Sequence, residues 1–202
     1  MTLNRQDNPD QLFPADVLHT EIGARTWRIA KVKSRREKSL ARFLARENIG
    51  YYLPLLMQRQ AGQRKKRFSL IPVFSGYLFV KASDHERHQA MGSNHIASFI
   101  ESRNQVRLVQ ELRQIHKALG QDTLVYPYHF IATGQKVRVV KGPLRGLEGK
   151  VIKKGSSYRL VLSISELMQS VLVQIDADQV EPVPERGRAV LGNRECPITG
   201  TK

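Results

Sequence analysis

Residues 73–81 read Val-Phe-Ser-Gly-Tyr-Leu-Phe-Val-Lys. Successive side chains of a strand point to opposite faces, and here both faces are apolar. Such a strand does not sit at a sheet edge. It needs strand neighbours on both sides. One face needs covering helices, and the other is either core or a docking surface. The rest of the chain has to supply that surrounding.

The flanking segments read accordingly. Trp27 to Lys33 is rich in β-formers and predicts a strand. Ser34 followed by Glu37 has the spacing of a capping box, and Leu40, Phe43 and Leu44 then line one helical face. Asn48 and Gly50 stop that helix. Tyr51 to Met57 predicts a second strand, with Pro54 marking an edge or bulge. Gln58 to Phe68 is polar and basic, a hairpin loop. Asp84 caps a short helix to about Met91, Ile96 to Ser102 is a strand, and Leu108 to Leu119 is a helix with one apolar stripe. The order β-α-β-β-α-β-α is the ferredoxin-like split βαβ with an added helix.

Past Gly120 the pattern changes. Residues 120–133 contain Pro127 and read as a linker. Residues 134–183 hold five short alternating strands, which fit a small β-barrel better than an open sheet with bare edges. Ser165 to Leu172 is ambiguous, since it also reads as a helical turn. The β-branched alternation of Val137, Val139, Val171, Val173 and Ile175 favours strands over a helical form of this domain. Residues 1–26 are polar, hold two prolines and read as a flexible extension; residues 184–202 read as a flexible tail. The expected architecture is α+β: a domain over 27–119, a linker, and a barrel over 134–183.

Charge narrows the function. The chain has 202 residues with 33 Lys and Arg against 18 Asp and Glu, a formal net charge of +15. Residues 27–120 hold 19 basic against six acidic side chains, and residues 134–183 hold eight against five. That concentration in the first domain is the footprint of a polyanion-facing surface. No run approaches the ~20 apolar residues that span a bilayer, and residues 1–25 lack the apolar block of a signal peptide, so no membrane role and a cytoplasmic setting are expected. A single cysteine, Cys196, excludes an internal disulfide and a cysteine-built metal site. His85 and His88 stand three apart, a spacing metal ligands use, but no carboxylate–histidine set completes a centre. No nucleophile elbow or phosphate-cradling loop occurs. Neither an enzyme, a metal nor a cofactor is expected.

The sharpest motif is Gly134 to Gly149, where Gly142, Pro143, Gly146 and Gly149 punctuate a hairpin. It resembles the KOW motif of transcription elongation factors and some ribosomal proteins, and the barrel is then SH3-like. In the first domain Trp27, the helix with Glu37, Tyr52-Leu-Pro54 and the run Pro72-Val-Phe-Ser-Gly-Tyr-Leu-Phe-Val80 resemble the N-terminal domain of the NusG family. That family has Phe-Pro-Gly-Tyr in this strand; here Ser75 replaces the proline. Tyr51 to Leu56, Arg64 to Arg67 and Gly142 to Gly149 are similar to paralogues that govern surface-polysaccharide and other long operons.

The resemblance implies a monomeric transcription elongation and antitermination factor. Its first domain would grip the clamp helices of the largest RNA polymerase subunit, with Tyr51, Phe74, Tyr77 and Phe79 as candidate contacts. The KOW domain would recruit termination factor Rho or a small-subunit ribosomal protein. Read from the residues, Arg59, Arg64, Lys65, Lys66 and Arg67 on the hairpin loop are candidates for nucleic-acid phosphates, which the resemblance implies to be those of transcription-bubble DNA or nascent RNA. So are Arg35, Arg36 and Lys38, because cations at a helix N-terminus oppose its dipole and suggest an outside partner. Two other readings stay open: a ribosome-associated KOW-type RNA-binding protein, and a general nucleic-acid-binding module.

Overall fold

The structure, a computed structural model, describes residues 8–59, 68–121, 125–129, 134–154 and 157–183. The strands are β1 Leu12–Phe13, β2 Thr26–Val32, β3 Gly50–Tyr52, β4 Leu55–Arg59, β5 Phe68–Pro72, β6 Tyr77–Ala82, β7 Ile96–Glu101 and β8 Val125–His129. They continue with β9 Gln135–Val139, β10 Glu148–Lys154, β11 Ser157–Ile164, β12 Gln169–Ile175 and β13 Val180–Pro182. The helices are α1 Glu37–Arg46, α2 Asp84–Met91 and α3 Gln105–Leu119.

The first sheet has the order β1-β3-β6-β2-β7. Four of these strands form the antiparallel ferredoxin-like arrangement, with β6 inside it as its two apolar faces require. Leu78, Val80 and Ala82 face α1 and α2, packing with Leu40, Ala41, Leu44 and Ala90. Phe79 faces the other way, joining Trp27, Ile29 and Tyr52 beneath Leu108, Leu112 and Ile115 of α3. Each such large side chain removed from water contributes about 1.5–3 kcal/mol. Both faces of β6 are therefore covered by helices.

Local chemistry sets the joints. Phe74 to Tyr77 is a tight turn, with the Tyr77 amide donating to the Phe74 carbonyl at 3.1 Å and Gly76 at φ +82. A positive φ there needs glycine, and the turn forms with Ser75 in the place where proline is favoured. The expected capping box at Ser34 is not made. α1 begins at Glu37 with Arg36 as N-cap and no side-chain cap bond, and the Glu37 carboxylate instead accepts from the Gly76 amide at 2.7 Å. The capping box lies on α2, between Ser83 and Glu86. Pro54 marks a break in the expected second strand. β3 stays in the sheet, while β4 pairs with β5 in a separate ribbon closed at its base by the Val73 amide on the Pro54 carbonyl.

Two expected boundaries move. Residues 8–25, expected to be a loose extension, are packed: β1 pairs with β3, and Val17 and Leu18 are buried. The expected linker contains β8, which adds to β12 as a sixth strand of the second sheet. That sheet has the order β13-β9-β10-β11-β12-β8. Its five strands from β9 onward enclose Val137, Val139, Leu160, Leu162, Val171 and Val173 in a KOW-like domain. Residues 165–167 form a single helical turn between β11 and β12.

Candidate functional site

The aromatic candidates divide between the two faces of the first sheet. Tyr51 lies on the α1 side, 1 % exposed, stacked on Phe13, its hydroxyl donating to the Asp10 carbonyl at 3.0 Å. Burial, with the Asp10 charge second, pushes that hydroxyl up to about 12. Phe74 and Phe79 lie on the α3 side, edge to face at 5.9 Å, with 1 % and 0 % of their surface exposed. Tyr52 extends that cluster, 6.2 Å from Phe79 and 5.7 Å from the edge-on ring of His116. Tyr51, Phe74 and Phe79, expected as partner contacts, are thus core side chains in this arrangement. A partner surface cannot include all four aromatics on one face. Tyr77 differs, being half-buried at the margin of the cluster.

Register shows what surrounds Tyr77. Phe79 stands opposite Ile29, and Tyr77 stands opposite Lys31, which pairs on its other side with Ser98. Opposed residues share a face, so the apolar row under α3 gives way at Tyr77 and Lys31 to an exposed, polar end. Arg35 and Arg36 are exposed where the chain turns from β2 into α1. That turn is tied to the Tyr77 turn, because the Val32 amide donates to the Gly76 carbonyl at 2.7 Å and Glu37 accepts from the Gly76 amide. Tyr77, Lys31, Arg35 and Arg36 therefore gather at one end of the sheet. Lys31 escaped the sequence reading, although its two-residue spacing from Ile29 would have placed it.

Not every cation is available to a ligand. Lys38 donates to the Leu70 carbonyl at 2.6 Å and to Asn8 at 2.8 Å, and burial lowers its pKa with Arg42 adding to the effect. It ties α1 to the ribbon. Arg28 is buried, bridging Glu101, Asp84 and the Ala82 carbonyl. Lys81 is 5 % exposed and bound by acceptors of Thr20 and Glu21. Arg59 ends β4, and Arg64, Lys65, Lys66 and Arg67 lie outside the described residues. The ribbon of β4 and β5 carries both ends of that basic loop.

The KOW-like hairpin is built as its glycines require. Gly142 and Gly146 have φ of +76 and +90. The Gly146 amide returns to the Val139 carbonyl at 2.8 Å, and Leu144 and Leu147 drop into the barrel core. Gly149 has no unusual φ; a Cβ there would fall well inside 3.0 Å of the Val161 carbonyl oxygen.

The barrel rests on α3. Glu111 accepts from the Ser165 amide at 3.0 Å and its hydroxyl at 2.6 Å, Ser102 donates to Glu166 at 2.7 Å, and the Glu148 amide donates to Gln114 at 3.0 Å. A cleft of about 320 Å³ lies beside these bonds, lined by Arg107, Gln114, Lys136 and Lys150 among others. Among the described residues no group of His, Cys, Asp and Glu is placed to hold a metal ion, and no helix is long and apolar enough to cross a membrane.

The profile of the family described as "Transcription termination factor nusG" matches residues 25–122, the sheet with α1, α2 and α3. Among solved structures, one similar chain comes from "Crystal Structure of MjSpt4:Spt5 complex conformation B". It is 16 % identical over 78 % of this chain and 96 % of that one, with a TM-score of 0.28, too low to carry an argument. No curated protein matches the chain. Residues 25–122 thus form a NusG-type domain, similar to a family of transcription termination factors.

Proposed function

We propose that this protein is a cytoplasmic transcription elongation and antitermination factor that binds RNA polymerase and promotes processive transcription of long operons, surface-polysaccharide genes among them. The reading is carried by the joint placement of Tyr77, Lys31, Arg35 and Arg36 at one end of a NusG-type sheet. An amphipathic aromatic can bury area against a helix of the polymerase clamp, with few rotors to freeze. The neighbouring cations then face the phosphates of the transcription bubble or nascent RNA. Phe74 and Phe79 act from beneath, by holding Tyr77 and its turn. A factor that binds the closed, processive state more tightly than the paused one shifts the population by that difference in affinity. The barrel is proposed to recruit a second protein, termination factor Rho or a small-subunit ribosomal protein.

The test is single-round transcription by purified polymerase through a pause and a terminator, with and without the protein. Read-through should rise, and Tyr77→Ala should abolish the gain while leaving the fold intact. Co-sedimentation with ribosomes and no effect on polymerase would refute the proposal and favour the RNA-binding alternative.

A further inference from the structure

Residues 8–24 precede the family match, yet they are bound along both sides of the first domain. Asn8 meets Lys38, the Asp10 carbonyl accepts from Tyr51, and the Gln11 carbonyl accepts from the Leu53 amide at 2.7 Å. The Gln11 side chain takes the Leu55 amide at 3.1 Å. Leu12 and Phe13 pair with Tyr52 and Tyr51. The segment then crosses to the α3 side, where Val17 and Leu18 are each 1 % exposed. Arg113 of α3 donates to the Leu18 carbonyl at 2.7 Å, and the Lys81 ammonium is held by the Thr20 and Glu21 carbonyls at 3.1 and 2.6 Å. Gly50 gives Val17 its seat, since a Cβ there would meet Val17 Cγ2 at 3.1 Å.

Three features make this a host and a guest rather than one continuous fold. First, β3 is the outermost of the four ferredoxin-like strands, so β1 covers an edge that would otherwise offer bare amide and carbonyl groups. Secondly, the charges are complementary: residues 8–24 carry Asp10, Asp16 and Glu21 and no Lys or Arg, whereas the domain beneath is strongly basic. Thirdly, the anchors Lys81 and Arg113 hold backbone carbonyls, which water can replace, so release leaves no charge stranded in the core.

We propose that the β3 edge, with the adjoining slot for Val17 and Leu18, is a strand-acceptor site, filled here by the chain's own residues 8–24 and able to take the same segment from a second copy. The mode is β-strand addition, with backbone bonds to Tyr51–Leu53 and two apolar anchors giving specificity. Exchange of the segment between two copies would join them without any new interface.

Native-state hydrogen exchange on the full wild-type chain tests separability. The Leu53 and Leu55 amides, whose acceptors lie on Gln11, should exchange at least tenfold faster than central amides of β2 and β6. Exchange of all of them at one common rate would overturn the proposal. The second test adds a fluorescein-labelled peptide of residues 8–24 to full-length protein. It should bind Val17→Asp/Leu18→Asp at least tenfold more tightly than wild type, whose site is filled, and a peptide carrying the same two substitutions should not bind. A folded variant that ignores the wild-type peptide would overturn the site. Where that variant does not fold, Arg113→Ala replaces it: faster Leu53 exchange supports the proposal, and unchanged exchange overturns it.

Discussion

Replacing the three glycines of the KOW-like hairpin one at a time should separate two physical reasons for glycine. At Gly142 and Gly146 the backbone has positive φ and space is free: the nearest atoms to a Cβ at Gly142 lie at 3.9 Å, and none lies within 4 Å at Gly146. Alanine there incurs the left-handed penalty alone, about 1–2 kcal/mol. At Gly149 the backbone is ordinary and the obstacle is contact. A Cβ falls well inside 3.0 Å of the Val161 carbonyl oxygen and 3.1 Å from Leu160 Cδ1. Val161 pairs with Lys150 in the β10–β11 ladder, so its carbonyl cannot retreat without disturbing the central pairing of the barrel. Overpacking of that kind costs about 1–3 kcal/mol, and more where backbone has to move. The discriminating substitution is asparagine. It tolerates positive φ, so Gly142→Asn and Gly146→Asn should recover part of the alanine loss, whereas Gly149→Asn should be at least as damaging as Gly149→Ala. Urea titrations followed by amide exchange in β10 and β11 report the barrel without interference from Trp27 in the other domain. Gly149→Ala at wild-type stability, or asparagine rescue at 149 and not at 142, would refute the reasoning.

Three further outcomes are expected. Phe79→Ala should cost about 3–5 kcal/mol of folding stability, because the ring is fully buried, while Tyr77→Ala costs about 1 kcal/mol and weakens polymerase binding by about 2 kcal/mol or more; thermal melts and binding on the same mutants check both. Arg64→Ala with Lys65→Ala should make the salt dependence of nucleic-acid binding shallower, by up to about one unit for each phosphate no longer neutralised, without moving the melting temperature. His116 is held below its usual pKa by burial and then by His19, so the unfolded chain takes up this proton first. Stability should therefore fall as pH drops below about 6.5, and His116→Gln should flatten that slope in melts across pH 5 to 8.

Periodicity carried the order of the elements. The apolar faces of β6 and the stripe of α3 set layers that the structure repeats. Leu108, Leu112 and Ile115 are the residues that cover Trp27, Tyr52 and Phe79. Pro54 marked a discontinuity, and the sheet breaks there. Residues 8–25 were not legible in the same way. Their apolar content near the sheet edge is two short pairs, Leu12-Phe13 and Val17-Leu18, too brief for a period, and their attachment runs through backbone carbonyls that carry no signature in side-chain type. The one available signal was electrostatic, an acidic stretch ahead of a basic domain. Glu37 failed as a capping residue for a related reason: spacing cannot weigh a local amide against a distant one, and the Gly76 turn delivers the better partner.

The aromatic set shows where such reasoning reaches its limit. Tyr51 and Tyr52 are neighbours in a strand, so they must face opposite sides, and no count of aromatics could gather both with Phe79 into one surface. Tyr77 and Phe79 do share a face, yet one ring is half-buried and the other inaccessible. Leu108, Leu112 and Ile115 of α3 pack in one cluster with Phe79, while Tyr77 lies at the margin of that cluster; Gln105, the first residue of α3, brackets the Trp27 backbone at the opposite end of β2 from Lys31. The cover that buries Phe79 thins at Tyr77, and that difference decides which aromatic meets solvent. The same boundary turns Lys31 from a strand residue into part of a basic rim beside Arg35 and Arg36. Where a helix packs on the sheet, a tertiary fact, thus decides which residues of a strongly patterned strand are available to a partner.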